Sequence, residues 1–336
     1  MERIEFEKER DYIEKVKGIN TNKNLKYNIF TMGCMLNEND SEKICGIVEE
    51  MGYTKCDNPK LADLIIFNTC CIRENAEEKL FGKLGELKNY KKEKGAIIIV
   101  GGCMMQQKHI QEKLHQSYPY VDIVFGTHTI NKVPEDLYNI LQKGKKITDI
   151  LDIDGDICEG LPIKRADKTK ALVTIMYGCN NYCTYCIVPY VRGRERSRNP
   201  RDILKEIEGL AKEGYKEITL LGQNVNSYNG GEGYKFSNLL RDVEKIDGIE
   251  RIRFISPHPK DFTEDVIDAI RDSKKVCKIL HLPLQSGSTD VLKKMNRKYT
   301  KEQFLELVEK IKTKIPDVVF STDIIVRFSR RDRRGL

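Results

Sequence analysis

Residues 171–186 read ALVTIMYGCNNYCTYC, an apolar run that ends in three closely spaced cysteines. The run 171–178 is rich in aliphatic and β-branched residues and predicts a buried strand. Cys179, Cys183 and Cys186 follow with the spacing C-x3-C-x2-C, which puts three thiols within eight residues. Three side chains so placed cannot all enter a hydrophobic core, whereas a short loop can wrap their thiolates around one soft metal centre. The stretch therefore predicts a strand that carries a metal centre at its C-terminal end.

The rest of the C-terminal half alternates apolar runs with amphipathic stretches. Further strands are predicted at 217–222, 251–256, 278–284 and 318–326, and helices at 200–213, 236–246, 263–272, 288–295 and 301–314. Strand–helix alternation is typical of a parallel sheet with crossover helices. Five such units fit a partial or open (β/α) barrel, a fold that places its reactive groups at the C-terminal ends of the strands.

The N-terminal half shows the same alternation and predicts a separate parallel-sheet α/β domain over residues 25–145. Its strands are expected at 28–33, 64–69, 96–102 and 121–126, and its helices at 37–52, 74–95, 106–117 and 133–143. Asn39 or Asp40 would cap the first of these helices. Residues 1–24 are interpreted as a polar, partly helical extension, 146–170 as a charged linker, and 171–326 as the partial barrel.

Composition narrows the class of protein. The 336 residues carry 58 Lys and Arg against 51 Asp and Glu, and no apolar run approaches the roughly 18–20 residues that span a bilayer. The first 20 residues lack the apolar core of a secretion signal. We therefore expect a cytoplasmic protein with no membrane partner. Its 11 cysteines then favour metal ligation over disulfides, because cytosolic thiols stay reduced and the count is odd.

Three more cysteines each follow a predicted strand directly. Cys34, Cys70 and Cys103 end the stretches FTMGC, IIFNTC and IIIVGGC. Because the C-terminal ends of parallel strands lie along one edge of a sheet, these thiols can converge despite their separation in sequence. Their position alone also fits three small buried apolar side chains, since free cysteine is often buried. Cys71 is expected to point away from the same centre.

The number of thiols distinguishes between the metals that the loop at 179–186 could hold. Structural zinc takes four protein ligands, and no matching fourth ligand lies nearby in the sequence. A four-iron cluster with only three cysteines keeps one iron open, and an open coordination position is where a metal binds substrate. A metal site that only holds the loop together is the alternative.

The triplet, with Tyr185 before its last cysteine, resembles the radical S-adenosylmethionine (SAM) signature. An N-terminal domain with three strand-end cysteines, followed by such a barrel, resembles the methylthiotransferase family over residues 25–326. Within that family, four segments resemble the branch that modifies N6-(dimethylallyl)adenosine beside the anticodon of tRNA. These segments are TMGCMLNENDSEKI, FNTCCIRENAEEKLFGKLGELK, GGCMMQ and GCNNYCTYCIVPYVRGRERSR.

The resemblance implies cofactors, substrate and partners. Cys34, Cys70 and Cys103 would hold an auxiliary 4Fe-4S cluster, and Cys179, Cys183 and Cys186 the cluster that chelates and cleaves SAM. One SAM would methylate sulfur at the auxiliary cluster, and a second would yield the radical that takes hydrogen from carbon 2 of the adenine at position 37. A reductant such as flavodoxin or ferredoxin and a monomeric state are expected. The alternatives are another tRNA adenosine, a ribosomal protein, or an inactive truncated iron–sulfur protein.

Further residues belong to the expected site. Gly222, Gln223 and Asn224 follow the second barrel strand, where the resemblance implies contact with the SAM amino group, and Tyr185 is expected to bind cofactor as well; a polar turn is the alternative for 222–224. His258 ends the third strand, where it could touch SAM or base. Arginines close to the cysteine loop would bind tRNA phosphates or the SAM carboxylate, unless they form a solvated face. These are Arg192, Arg194, Arg196 and Arg198.

The last ten residues depart from the family pattern. Arg327–Leu336 reads RFSRRDRRGL, with five arginines. The family continues instead with a last βα unit and a small tRNA-binding β-barrel domain called TRAM. The expectation is a C-terminally truncated chain with an aberrant Arg-rich tail.

Overall fold

A computed structural model of the chain describes residues 3–72, 74–151, 155–326 and 328. These residues divide into two compact units. The first comprises the chain up to Ala166 together with Tyr190–Arg194, and the second comprises Asp167–Pro189 together with the chain from Glu195 onward. None of the helices in the described part is long and apolar enough to cross a membrane.

The first unit is built on a six-stranded sheet in which every neighbouring pair is parallel, in the order β3-β2-β4-β5-β6-β7. A separate parallel pair joins β1 to β8. The strands are β1 Arg3–Glu5, β2 Lys26–Thr31, β3 Thr54–Lys55, β4 Leu64–Thr69, β5 Ile97–Gly102, β6 Ile123–Phe125, β7 Ile147–Asp149 and β8 Ile157–Glu159. The helices are α1 Glu7–Asn20, α2 Met35–Glu50, α3 Glu74–Lys94, α4 Lys108–Ser117 and α5 Val133–Lys143, with short 3-10 helices at Pro59–Leu61, Cys103–Gln106 and Ile130–Lys132.

Helices cover both faces of this sheet, so its strands are apolar on both sides. Successive side chains of a strand point to opposite faces. Leu64 and Ile66 join the core that contains side chains of α1, α2 and α5, whereas Ile65 and Phe67 join the core that contains side chains of α3 and α4. Both faces being buried explains why the sequence reads as continuous apolar runs rather than alternation.

The second unit carries parallel strands in chain order. β9 Lys170–Thr174, β12 Glu217–Leu221 and β13 Arg251–Phe254 form one parallel sheet, and β14 Ile279–His281 pairs with β15 Val319–Ser321 in another. A parallel bridge from Ile252 to Val276 continues the first sheet beyond β13. The helices are α6 Val188–Val191 (which continues into the segment grouped with the first unit), α7 Pro200–Lys212, α8 Phe236–Glu244, α9 Glu264–Asp272, α10 Thr289–Lys294 and α11 Lys301–Lys314, with 3-10 helices at Val225–Ser227 and Pro259–Asp261.

The predicted fold class, a parallel-sheet α/β domain followed by a partial barrel of βα units, is confirmed, with local differences. The predicted strand 171–178 divides into β9 and a two-residue strand, β10 Met176–Tyr177, which pairs antiparallel with β11 Arg196–Ser197. Helix α2 begins at Met35 with Cys34 as its N-cap, so the prediction that Asn39 or Asp40 caps it was wrong. Both lie inside the helix and are buried.

Asp136 gives the first unit a pH-dependent stability. This side chain of α5 is buried, and its Oδ2 has no hydrogen-bond partner within the described part of the chain. Burial, followed by the charges of Asp149 and Glu135, raises its pKa from 3.8 to about 7, against the opposing charge of Lys132. Between these two pH values the folded chain binds more protons than the unfolded chain, so this group lowers the free energy of unfolding as pH rises.

We expect Asp136→Asn to remove that dependence. Relative to the unsubstituted protein, the variant gains up to about 1.4 kcal/mol of stability for each pH unit between pH 5 and 7. Urea denaturation of both proteins at pH 5, 6, 7 and 8 measures the difference, and carboxylates common to both cancel. A difference that stays constant across these pH values contradicts the prediction.

Candidate metal centres

The first three strand-end cysteines lie side by side. Cys34, Cys70 and Cys103 follow the C-terminal ends of β2, β4 and β5, which are adjacent in the sheet. Thr69 of β4 is the register partner of Gly102 of β5, so Cys70 and Cys103 occupy matching positions one residue further on. Cys34 is the N-cap of α2, which puts its sulfur beside the positive end of the helix dipole. The three thiols therefore share one edge of the sheet, as the sequence predicts.

Two glycines bring the backbones together at this edge. A Cβ on Gly33 would lie 2.6 Å from the Cβ of Cys70, and one on Gly102 would lie 2.5 Å from the carbonyl oxygen of Thr69. Both glycines also have positive φ, 129° and 100°, in regions that side-chain-bearing residues rarely adopt. The absence of side chains at these two positions is thus a condition for the close approach of the three strand ends.

A buried polar network supports the same edge. The amide of Asn68 donates to the backbone carbonyl of Asn37 (2.8 Å) and to Oγ of Ser41 (2.9 Å), and Asn37 donates to the carbonyl of Thr69 (3.1 Å). Oδ1 of Asn37 accepts from the Cys34 sulfur at 3.5 Å. Because these groups satisfy one another, the N-terminal turns of α2 are fixed to the end of β4. This network was not predicted, although the polar run NENDSEK shortly after Cys34 supplies several of its residues.

The thiols of this set interact electrostatically. Burial raises the pKa of Cys70, and the charges of Cys103 and Cys34 add to the shift. The neighbouring Cys71 side chain lowers the pKa of Cys103, and the positive charge of Arg192 acts in the same direction. Cys71 therefore does not point wholly away from the centre, contrary to the expectation. Cys34 and Cys103 are therefore both close enough to Cys70 for their charges to affect its pKa.

The second triplet lies in the loop between β10 and β11. Cys179, Cys183 and Cys186 interact through their charges, and burial raises the pKa of Cys179 to about 11. Burial also raises the pKa of Cys186. At neutral pH these two thiols are protonated in the metal-free protein, so ligation of a metal must release their protons.

The turn after α10 holds this loop in place, which the sequence did not indicate. Asn296, with φ of 57°, donates to the carbonyls of Asn181 (3.2 Å) and Tyr182 (2.9 Å). The buried guanidinium of Arg297 donates to the Cys183 sulfur at 3.5 Å and to the Tyr185 hydroxyl at 3.4 Å. In the sequence MNRKYT these residues look like an ordinary helix end, because only the fold brings position 297 to position 183.

Residues 222–224 form part of the same surroundings. Oε1 of Gln223 accepts from the backbone N–H of Gly178, next to Cys179. The Asn224 amide donates to Glu195 (3.2 Å) and Asp261 (2.8 Å). Two buried polar atoms, Nε2 of Gln223 and Oδ1 of Asn224, have no hydrogen-bond partner among the residues that the structure describes. Gly222 packs against Met176, where a Cβ would lie 2.6 Å from its Cγ.

The arginines after the second triplet do not form one solvated face. Arg192, Arg196 and Arg198 are buried, whereas Arg194 is exposed. Arg198 pairs with Glu206 at 2.8 Å and donates to the carbonyl of Thr174. The alternative of a solvated face is wrong for the three buried arginines, whereas contact with tRNA phosphates or the SAM carboxylate stays a prediction. His258 is also buried, and burial lowers its pKa to about 2, so it is neutral at pH 7.

The donor chemistry of both sets fits iron–sulfur clusters. Thiolates are the ligands of such clusters, with one at each iron. Among the described residues, no three His, Cys, Asp or Glu side chains converge closely enough to hold a single metal ion. Ligands of a four-iron cluster need not meet at one atom, because each binds a different iron. The buried polar atoms of Gln223 and Asn224 that lack a partner among the described residues fit a polar ligand bound beside the second set.

Two family models match the chain. Residues 26–126 match an uncharacterized protein family designated UPF0004, and residues 173–333 match the radical SAM superfamily.

Similar curated proteins share more than half of their aligned residues with this chain. The tRNA-2-methylthio-N(6)-dimethylallyladenosine synthase of Acetivibrio thermocellus is 53% identical over 333 residues, which are 96% of this chain and 69% of that protein. The proteins of the same name from Clostridium perfringens and Clostridium tetani are each 56% identical. Those alignments cover 89% and 93% of this chain, and 68% and 70% of the respective relatives.

Solved structures share the fold at low sequence identity. The radical S-adenosylmethionine methyltransferase TsrM from Kitasatospora setae superposes with a TM-score of 0.62 at 13% identity, over 89% of this chain and 69% of that one. The cobalamin-dependent S-adenosylmethionine radical enzyme OxsB gives a TM-score of 0.62 at 14% identity, over 90% of this chain and 49% of that one. At these identities the likeness concerns the fold.

Proposed function

The chain belongs to the family of tRNA-2-methylthio-N(6)-dimethylallyladenosine synthases, and from that premise we propose that it is a radical SAM enzyme that attaches a methylthio group to carbon 2 of N6-(dimethylallyl)adenosine at position 37 of tRNA. The observation that carries the proposal is the 53% identity over 333 residues, which spans both cysteine sets. The first set lies at the C-terminal ends of parallel strands and the second follows β9 and β10, positions where ligands of α/β folds bind.

The two cysteine sets would have different tasks. Cys34, Cys70 and Cys103 would hold the auxiliary 4Fe-4S cluster, and Cys179, Cys183 and Cys186 the cluster with an iron open to SAM. When bound, these cofactors supply the sulfur to be transferred and the radical that removes hydrogen from carbon 2, with two SAM molecules used per product.

The chain's own residues would orient SAM beside the second set. The buried Oδ1 of Asn224 is an acceptor suited to the SAM amino group, and the buried Nε2 of Gln223 is a donor suited to its carboxylate. Gly222 permits the close packing that places both side chains, and Arg297 fixes Tyr185 and Cys183. A polar group buried without a partner costs free energy, and a ligand that pairs with it recovers that cost.

The remaining partners follow from this chemistry. The substrate would be tRNA, and a flavodoxin or ferredoxin would supply the electron for SAM cleavage. The enzyme would act in the cytoplasm, where tRNA is modified, and as a monomer.

Complementation tests the function directly. A bacterial strain lacking its own synthase is transformed with this chain, and tRNA nucleosides are measured by mass spectrometry. We expect 2-methylthio-N6-(dimethylallyl)adenosine to reappear and its unmodified precursor to fall. The Acetivibrio thermocellus relative serves as the positive control, and this chain with Cys103→Ala as the negative control.

The possible outcomes separate the proposal from its alternatives. Restoration by the relative but not by this chain, at equal soluble expression, contradicts the proposed activity. Appearance of a methylthio group on a different adenosine or on a ribosomal protein contradicts the proposed substrate.

A further inference from the structure

A buried arginine reaches the edge of the sheet that carries the first cysteine set. Arg192 lies in the segment Tyr190–Arg194, which belongs to the first unit although its flanking residues belong to the second. Its side chain is only 4% exposed. Nε donates to the Cys103 sulfur at 3.1 Å, and Nη2 donates to Oδ2 of Asp40 at 2.7 Å. The two contacts use different nitrogens of one rigid guanidinium.

The ion pair fixes where this guanidinium points. Asp40 is 2% exposed and lies inside α2, whose N-cap is Cys34. The backbone of the segment is also held, because Thr127 donates from Oγ1 to the carbonyl of Val191 at 2.7 Å. A planar guanidinium that donates to both a sulfur and a fixed carboxylate has little freedom to turn away from the sulfur. A lysine in its place would supply a point charge without that fixed direction.

A hydrogen bond to a ligating sulfur changes the electronic state of a cluster. It withdraws negative charge from the thiolate and stabilises the reduced, more negative form, so the reduction potential rises. The carboxylate of Asp40 opposes this effect by offsetting the positive charge of Arg192. Arg192 and Asp40 therefore make opposite contributions to the reduction potential through one ligand, Cys103.

We propose that Arg192 is a positioning residue that sets the reduction potential of the cluster at Cys34, Cys70 and Cys103 by donating to the Cys103 sulfur, with Asp40 holding it in place. The inference rests on the proposed function, because it presumes that this set binds a cluster. It adds a role for one arginine of the segment, distinct from contact with tRNA phosphate or SAM.

The test uses the full chain with Cys179, Cys183 and Cys186 replaced by Ala, so that only the first set can load. After anaerobic reconstitution, iron and sulfide are counted, and the midpoint potential is measured by a redox titration followed by electron paramagnetic resonance. In this background we expect Arg192→Met to lower the potential. The ratio of reduced to oxidised cluster at a fixed applied potential should fall at least tenfold, which corresponds to about 59 mV for one electron.

The direction in which a second variant changes the midpoint potential distinguishes this role from a packing effect. Asp40→Asn keeps the donor and removes the opposing charge, so its potential should rise. Arg192→Met with Asp40→Asn removes both charges and avoids a buried unpaired carboxylate; its potential should lie below that of Asp40→Asn alone. Arg192→Lys should fall between Arg192→Met and the background. Arg194→Met, at the exposed neighbouring arginine, is the matched control and should leave the potential unchanged.

Each outcome of these measurements either supports or overturns the inference. Unequal potentials with the predicted signs support the role of Arg192. If the cluster forms in the Arg192 and Asp40 variants with the same midpoint potential as in the background protein, the inference is overturned and the proposed function stays intact. Failure of the background protein to bind iron, while the unsubstituted chain binds one cluster, overturns the ligand set and the inference with it.

Discussion

Cys183→Ala will abolish SAM cleavage, whereas Cys103→Ala will leave SAM cleavage in place and abolish methylthio transfer. The two cysteines belong to separate sets on separate strand ends, so under the proposed assignment each substitution would remove one ligand from one cluster. We expect each affected activity to fall by more than the roughly 10–100-fold that follows loss of a hydrogen-bond partner of a metal ligand. Chromatographic assay of 5′-deoxyadenosine measures cleavage, and mass spectrometry of the tRNA nucleosides measures transfer.

Two cysteines outside both sets provide matched controls for this experiment. Cys56 lies beside the start of β2, where its N–H donates to the carbonyl of Tyr27 at 2.8 Å, and Cys277 precedes β14. Cys56→Ala and Cys277→Ala should therefore keep both activities and the full iron content, since Cys56 lies beside the first residues of β2 and Cys277 precedes β14, away from the strand ends that carry the two sets. Loss of SAM cleavage in Cys103→Ala, with the protein folded and iron still bound at the second set, would contradict the division of tasks.

Gly102→Ala will both destabilise the first unit and prevent binding of the cluster proposed at Cys34, Cys70 and Cys103. Gly102 has φ 100° and ψ −168°, a region essentially reserved for glycine, and a Cβ there would meet the carbonyl oxygen of Thr69 at 2.5 Å and Oδ1 of Asn68 at 2.6 Å. Strain of this kind costs about 1–3 kcal/mol, and relief of the close contacts must shift β4 or β5. We expect the free energy of unfolding to fall by more than about 2 kcal/mol, and bound iron to fall to the content of one cluster.

Gly144→Ala is the matched substitution. Gly144 also has positive φ, 62°, but, the adjacent backbone aside, no atom of the described residues lies within 4 Å of the point that an alanine Cβ would occupy there. Its cost should be limited to the roughly 1 kcal/mol of a left-handed conformation, with the iron content unchanged. Urea denaturation and iron analysis of the two variants give the comparison. Equal losses in both would show that the conformation, rather than the approach of the strand ends, accounts for the effect.

The ends of the strands were predictable because the apolar run and the cysteine that follows it are adjacent in the sequence. An apolar run followed at once by cysteine marks the end of a buried strand, and this pattern found β4 and β5 with their cysteines. Because neighbouring strands run parallel, their C-terminal cysteines then lie at the same edge of the sheet. Helix α2 begins at Met35, two residues before the predicted start at 37. The difference arose because Cys34 is the N-cap, a role for which Asn and Asp are the usual residues.

Side chains that reach the cysteines from distant positions were not predictable. Arg297 lies 114 residues from Cys183, and Arg192 lies 89 residues from Cys103. No spacing rule connects such pairs, since their contact depends on how the chain returns to a site after forming other elements. Asp40 was equally hidden, because a carboxylate in a polar helical run reads as a solvent-exposed residue until its partner is known.

The segment Tyr190–Arg194 bears on any attempt to dissect this protein into pieces. A fragment cut after Ala166 would contain Asp40 and all three cysteines of the first set but would lose the guanidinium that neutralises Asp40. Leaving one member of a buried ion pair behind is far costlier than losing a surface contact. Recombinant expression of that half alone should therefore yield an insoluble or protease-sensitive product, so the two halves are not interchangeable modules even though each has its own core.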